Sequence, residues 1–392
     1  MRTLLFGLAL SACLCGLARA QQAAPSPILV GATLPQTGIL ADIAADLRKA
    51  LLLWQEEVNA GGGLLGRRVE LLLLDDRAET GAPGKLYEKL IHEHKADLLI
   101  GPLGSAASLG AGAVADRNRR ILINATGAAR AVHRTGFRYV FQTAAPLATY
   151  GAGALELARG LGLKRIMLLA REDPGAKEIA ARARDDAAAL GLVVSMEFYG
   201  AGNKDFAPQV ARARDAGSEG WIAFGLPQDA AEMVKIFRKL GFAPRLFVAQ
   251  GAADPEFVKS VGQDAEYAVG ILPYDHRART RGNQEFAQAY AKKWSADPGL
   301  LAAEGYGAAK VLEEAVRRTG SIETEKLREA LAALETETPL GGYKVERTGL
   351  QVGARPLLVQ ILKGRREIIW PEALATAKLQ PYPAWEKRQP LK

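Results

Sequence analysis

Short apolar runs alternate along the chain with longer stretches whose apolar residues recur at helical spacing. Ile28 to Thr33 is the first run and reads as a strand. After the turn Leu34-Pro35-Gln36-Thr37-Gly38, the residues Ile43, Leu47, Leu51, Trp54 and Val58 mark the buried face of a helix over about 42–59. Asn59-Ala60-Gly61-Gly62-Gly63 ends it with residues that accept the left-handed conformation. A strand then runs from Val69 to Leu74 and stops at Asp75-Asp76. A helix follows over about 82–94, then a buried strand over 97–100, a helix over 105–116, and strands at 121–123 and 139–141. The pattern restarts with helix 147–161 and alternates through strands 165–170, 192–199, 221–224, 246–249 and 267–272. Such alternation predicts an α/β fold of parallel sheets with right-handed crossovers, here two doubly wound lobes. Three late helices (about 283–295, 301–319 and 323–334) and extended segments at 343–346, 356–362 and 366–370 imply that the chain crosses between the lobes more than once.

One strand-to-helix turn organises the rest. Ile100-Gly101-Pro102-Leu103-Gly104-Ser105-Ala106-Ala107-Ser108 joins the strand at 97–100 to an Ala-rich helix. Gly104 lets the backbone approach a ligand, and Ser105 suits the helix cap. Unpaired N–H groups and the helix dipole make such a turn a small anion cradle, for which a carboxylate is a natural guest. An ordinary capped turn with no ligand is the alternative.

The chain has 392 residues, long enough for two lobes, and is 48% hydrophobic and 24% charged, as soluble globular proteins are. Residues 1–20 stand apart. Arg2, an apolar run from Leu4, and Ala18-Arg19-Ala20 form a secretory signal peptide, with cleavage expected after Ala20. Leu10-Ser11-Ala12-Cys13 resembles a lipoprotein cleavage box, which leaves a lipid anchor at Cys13 as the alternative. Cys13 and Cys15 are the only cysteines, so the mature chain is expected to hold no disulfide and no cysteine metal site. No other stretch approaches a membrane span. The net charge of +8 is spread along the chain, and its densest clusters, Arg117–Arg120 and Lys363–Arg366, lack interleaved aromatics. They read as solvated surface, not as a nucleic-acid footprint.

Catalytic signatures are missing. Gly61-Gly62-Gly63-Leu64-Leu65-Gly66 fits G-x-G-x-x-G but follows a helix and precedes a strand, the reverse of the dinucleotide context. There is no P-loop and no G-x-S-x-G. Of the four histidines, His92 and His94 point to different sides of a helix, and His133 and His276 have no partner nearby in sequence. Asp75-Asp76 reads as turn-forming acid, not as a catalytic pair. No enzyme, metal or cofactor is expected.

The signal peptide, the first strand with Leu34–Gly38, the stretch Glu57 to Arg67, Leu74-Asp75-Asp76, Ile100-Gly101-Pro102, and the end from Trp370-Pro371-Glu372 to Pro383-Ala384-Trp385 occur in a familiar order. The chain resembles the periplasmic substrate-binding proteins of ABC importers, of the leucine/isoleucine/valine-binding type, over essentially its whole mature length. The resemblance implies the type I periplasmic-binding (Venus-flytrap) fold: two lobes joined by three crossover strands, near 142–146, 270–274 and 340–355. It implies lobe 1 over 27–143 plus 273–345, lobe 2 over 146–270 plus 355–375, and a tail over 376–392. It also implies a monomer in the periplasm, a small solute in the cleft, and a membrane permease with separate ATPase subunits as partner. A ligand-sensing periplasmic domain is the alternative role.

Carried over residue by residue, Gly104 and Ser105 match the carboxylate-gripping turn. Thr126-Gly127-Ala128 falls on the second binding loop, and Leu40 joins the same set. In the second lobe the corresponding positions are Gly175, Leu226, Gln250 and Gly251. The amino-acid binders carry a hydroxyl at Ala128, aromatics at Gly175 and near Leu226, and an acid near Gly251, and this chain departs at all four. Thr126 would then turn its hydroxyl into the site, with Gln250 as a neutral acceptor. An α-ammonium in a closed cleft needs an acid or several acceptors. Either Asp173 or Asp254 supplies that charge, or the solute is a carboxylate or amide without an ammonium.

Overall fold

The apolar runs of the first third of the chain pair side by side, all parallel. The computed structural model describes residues 25–388. The leader, Cys13 and the cleavage expected after Ala20 lie outside the described residues, as does the chain from 389 on.

Lobe 1 begins with β1 (Ile28–Leu34), α1 (Ala41–Ala60), β2 (Val69–Asp75), α2 (Ala82–His92), β3 (Leu98–Ile100), α3 (Ser105–Arg117), β4 (Leu122–Asn124), the single turn α4 (Ala131–Arg134) and β5 (Val140–Gln142). The sheet order is β2-β1-β3-β4-β5. Strands that run outward in both directions from β1 leave a switch point between β1 and β3, where open α/β sheets bind ligands.

Lobe 2 repeats the plan with α5 (Ala152–Gly160), β6 (Arg165–Arg171), α6 (Pro174–Ala189), β7 (Val193–Tyr199), α7 (Ala207–Asp215), β8 (Gly220–Phe224), α8 (Pro227–Leu240), β9 (Leu246–Ala249), α9 (Pro255–Val261) and β10 (Val269–Leu272). The parallel strands run β7-β6-β8-β9-β10, the same order as in lobe 1.

The chain then returns to lobe 1 as α10 (Asn283–Trp294), α11 (Leu300–Thr319) and α12 (Thr324–Ala333), followed by the small hairpin β11 (Thr336–Thr338) and β12 (Gly341–Tyr343). These helices share one apolar cluster with β1 and α1, and three polar bonds fix α10 and α11 to α1. Trp54 Nε1 donates to Glu313 at 3.0 Å, the Tyr306 hydroxyl to Glu57 at 2.6 Å, and the Tyr290 hydroxyl to Asp46 at 2.9 Å. Trp54 is fully buried, so an unpaired indole N–H there would cost about 1–3 kcal/mol.

A last crossing leads to β13 (Leu357–Leu362) and β14 (Arg365–Trp370), which extend the second sheet antiparallel beyond β10. The lobe 2 sheet is therefore mixed where the pattern predicted parallel strands alone. The two-residue link Lys363-Gly364, both at positive φ, can join only antiparallel neighbours. The segment read as a tail packs on this lobe as far as it is described. Tyr382 is buried against Phe247 and Trp385, and the Arg388 guanidinium lies 3.7 Å from the Trp385 ring centre.

In α1 the predicted face holds at Leu47, Leu51, Trp54 and Val58, which are all buried. Ile43 does not follow and is 54% exposed. It lies in the first turn beside the exposed Ile39, where the helix overhangs the carboxyl end of β1.

Candidate functional site

The site is built from loops at the carboxyl ends of the strands. At the end of β3, Gly104 adopts φ +88°, a conformation open to glycine, and is itself the residue that caps α3. Ser105 is the first helical residue and not the expected cap. Its Oγ instead accepts from the Ala129 N–H at 3.1 Å. The hydroxyl proton is left free for a ligand oxygen. The N–H groups of Ser105, Ala106 and Ala107 belong to the first turn and have no intrahelical acceptor.

The second loop is stitched to the first. Thr126 Oγ1 accepts from the Gly104 N–H at 2.7 Å and donates to the Pro102 carbonyl at 2.9 Å. Thr126 thus braces the cradle turn through both bonds, which leaves only the second lone pair of its hydroxyl oxygen for a ligand. Asn124 brackets Gly127, accepting from its N–H at 2.8 Å and donating to its carbonyl at 2.9 Å. A Cβ at Gly127 would lie 2.6 Å from both Asn124 Oδ1 and Ser108 Oγ, so the loop requires glycine.

Leu40, Gly104 and Ser105 line one cavity of about 270 Å³ with Pro35, Asp76, Glu79 and Leu103. It lies at the switch point of lobe 1. Asp75 and Asp76 shape its rim as turn formers. Asp75 binds the N–H groups of Gln36, Thr37 and Arg77 and the Thr37 hydroxyl. Asp76 is buried, accepts from the Thr33 hydroxyl and the Ala78 N–H, and is pushed up in pKa by that burial.

The second-lobe residues line a separate, tight space. Leu226, Gln250 and Gly251 meet there, beside Asp229 and Tyr199. Leu226 is 40% exposed, and Gly251 is buried against the backbone of Leu226 and Pro227. Asp173 caps α6 through the Ala176 N–H at 2.9 Å, and the exposed Asp254 caps α9 through the Glu256 N–H at 2.8 Å. Both acids proposed to supply a missing charge are thus engaged as helix caps.

Leu147 links the two sets. Its N–H donates to the Ala128 carbonyl at 3.1 Å, and its Cδ1 lies 3.6 Å from the Cβ position of Gly175. Beside it the Arg130 N–H of lobe 1 donates to the Glu178 carboxylate of α6 at 3.1 Å.

Two polar groups escaped the sequence reading. Glu304 on α11 and Tyr150 after the first crossing are both buried. The available signal was an acid within the small apolar run Ala302-Ala303-Glu304-Gly305, one helical turn from Leu300 and Leu301. Among the described residues no helix is long and apolar enough to cross a membrane.

Comparison with known proteins agrees with this architecture. A family profile described as periplasmic binding protein matches residues 27–365. A leucine-, isoleucine-, valine-, threonine- and alanine-binding protein of Pseudomonas aeruginosa is 22% identical over 317 residues, covering 80% of this chain and 84% of that protein. An ABC transporter substrate-binding protein of Desulfitobacterium hafniense, solved with Leu, superposes with a TM-score of 0.72 at 20% identity, covering 87% of this chain and 99% of that one. An ABC transporter solute-binding protein of Rhodopseudomonas palustris, solved with 3,4-dihydroxybenzoic acid, gives 0.70 at 22% identity, covering 93% and 99%. The match over most of its length, on two lobes of this order, places the chain in the periplasmic binding protein family.

Proposed function

We propose that the chain is the solute receptor of an ABC importer, exported to the periplasm by its leader. It captures a small carboxylate-bearing solute between the lobes and presents it to a membrane permease. The observation that carries this reading is the first turn of α3. Three N–H groups and the Ser105 hydroxyl converge beside a cavity at the switch point, with Leu40 and Leu103 supplying an apolar wall. A carboxylate there gains bonds of about 1.5–3 kcal/mol each, plus the helix dipole. Hinge closure would bring Gly175, Leu226 and Gln250 over the solute, and the closed form is what the permease would read. Relatives that bind a branched-chain amino acid and one that binds an aromatic carboxylate share the carboxylate, which is the part the cradle serves.

The test is a thermal-shift screen on mature protein stripped of ligand by unfolding and refolding. Its panel holds branched-chain amino acids, aromatic carboxylates and small amides. A solute at a hundred times its Kd stabilises by about 2.7 kcal/mol. Ser105→Ala should weaken carboxylate binding about tenfold or more. Unchanged affinity for every carboxylate that binds would remove the cradle from the site.

A further inference from the structure

The segments that cross between the lobes border a second cavity, of about 350 Å³, with walls from both lobes. Lobe 1 gives Leu340, Gly341 and Gly342 of the β11–β12 hairpin. That hairpin is seated on α11, with Leu340 Cδ1 3.4 Å from the Cβ position of Gly307. Lobe 2 gives Leu357 of β13, Trp370 at the end of β14, and Leu374 beyond it. Arg279 and Thr280 stand on the chain returning to lobe 1, and Gly353 and Arg355 on the last crossing. The cavity shares no lining residue with the one beside the α3 turn.

The walls are fixed by the fold. Thr280 Oγ1 donates to the Pro339 carbonyl at 2.8 Å and pins the hairpin to the returning chain. A Cβ on Gly353 would come within 2.9 Å of the Lys344 nitrogen and 3.1 Å of the Gly342 carbonyl oxygen, so the last crossing lies flush on β12. The Trp370 indole is oriented by its Nε1–H, which donates to Glu156 at 3.1 Å. An aromatic side chain and three leucines thus line a preformed space of molecular size.

The charge on this lining is unbalanced. Arg279 is exposed and makes no hydrogen bond or ion pair among the described residues. Arg355 reaches Glu156 at 3.4 Å, a carboxylate already shared with Trp370. Glu337 is the single acid on the lining, against two guanidiniums. A guanidinium fork takes a carboxylate through two parallel N–H bonds, and an indole takes a planar ring by stacking or edge contact. A ligand that suits both is apolar at one end and anionic at the other.

We propose that this cavity is a second binding site, for a small aromatic carboxylate, with the ring against Trp370 and Leu357 and the carboxylate held by Arg279 and Arg355. The assignment goes beyond the receptor reading and does not depend on which solute the cleft takes.

The experiment is nuclear magnetic resonance of refolded mature protein carrying 15N-labelled tryptophan, titrated with benzoate. The chain has five tryptophans, and the Trp370 indole signal is identified by its loss in Trp370→Phe. Benzoate should shift that signal saturably, and benzamide, the same ring without the charge, should do so more weakly. Arg279→Ala removes no contact within the described fold and should weaken benzoate about fivefold or more. Glu337→Gln, which removes the opposing charge, should tighten it. Ser105→Ala separates the two sites: it weakens carboxylates in the cleft and should not alter the Kd read at Trp370. A Trp370 signal that ignores benzoate, responds to benzamide as strongly, or responds equally in Arg279→Ala would overturn the site. So would a response lost in Ser105→Ala, because Trp370 would then be reporting a solute in the cleft, and the receptor reading would stand.

Discussion

Gly251 sits so close to Leu226 that a Cβ added to the glycine would meet the backbone of Leu226 and Pro227. The turn after β9 is thus flush against the turn after β8, which leaves no room for a side chain at 251. Gly251→Ala should overpack this contact at a cost of about 1–3 kcal/mol, lowering Tm by about 2–8 °C in differential scanning calorimetry. An unchanged Tm would mean the two turns slide apart at no cost, and that an acid at 251 is sterically possible.

Thr126 should matter through its hydroxyl and not through contact with the solute. It bonds both ends of the cradle turn, Gly104 N–H and Pro102 carbonyl. Thr126→Val keeps the shape and leaves the Gly104 N–H unpaired, which costs about 1–3 kcal/mol. Both Tm and carboxylate affinity should fall, and Thr126→Ser should restore both. A Val variant with lower affinity but wild-type Tm would instead put the hydroxyl on the ligand.

These two loops also show where sequence reasoning stops. Periodicity located α1 through Leu47, Leu51, Trp54 and Val58, because a helix lying on a sheet must bury one stripe. It misplaced Ile43, since a repeat along one helix carries no information on where the sheet beneath it ends. Gly104 and Ser105 were legible as a strand-to-helix turn. The partner of each was not, because Thr126 and Ala129 meet them only after β3 and β4 pair. Glu304 was hidden for the same reason: an acid in a helix reads as solvated surface until the folded chain buries it. The antiparallel β13 and β14 were visible as apolar runs, but strand direction is set by the short Lys363-Gly364 link, which the runs do not report.

Asp75 sets an acid limit on the loop that frames the cavity. The Thr37 hydroxyl bond is the largest influence and, with the N–H groups of Gln36, Arg77 and Thr37, outweighs the opposing effect of burial to hold its pKa at about 2. The folded value lies below the ordinary value of about 3.9. Its stabilisation is therefore complete above about pH 4 and is lost as pH falls toward 2. Asp75→Asn should be less stable than wild type at pH 7, and the gap should close between about pH 4 and 2. Urea midpoints across that range provide the measurement. The buried neighbour Asp76 titrates in both proteins and largely cancels in the difference. A gap that stays constant down to pH 2 would show that the carboxylate is no better held in the folded loop than in the unfolded chain.

His133 ties the loop after β4 to the segment that precedes β13. It is buried, with Nε2 3.4 Å from the Asn124 amide nitrogen and Nδ1 3.1 Å from the Thr348 carbonyl. Asn124 Oδ1 already accepts from the Gly127 N–H, so the Asn124 amide nitrogen is the donor to Nε2 and the ring proton sits on Nδ1, donating to Thr348. Burial lowers the His133 pKa, and the Thr348 carbonyl opposes that shift only in part. The native state therefore favours the neutral ring. Its contribution is complete above the ordinary histidine value of about 6.5 and is lost as pH falls through the lower folded value. Protonation at Nε2 would set two donors face to face at Asn124, the residue that shapes the Gly127 loop. His133→Gln cannot titrate, so the stability difference from wild type should be largest at pH 7 and shrink as pH drops below about 6.5. The other three histidines are common to both proteins and cancel. A difference that is flat from pH 7 to 5 would mean that the ring is as readily protonated in the folded protein as in the unfolded chain, and the acid loosening of this loop would then need another cause.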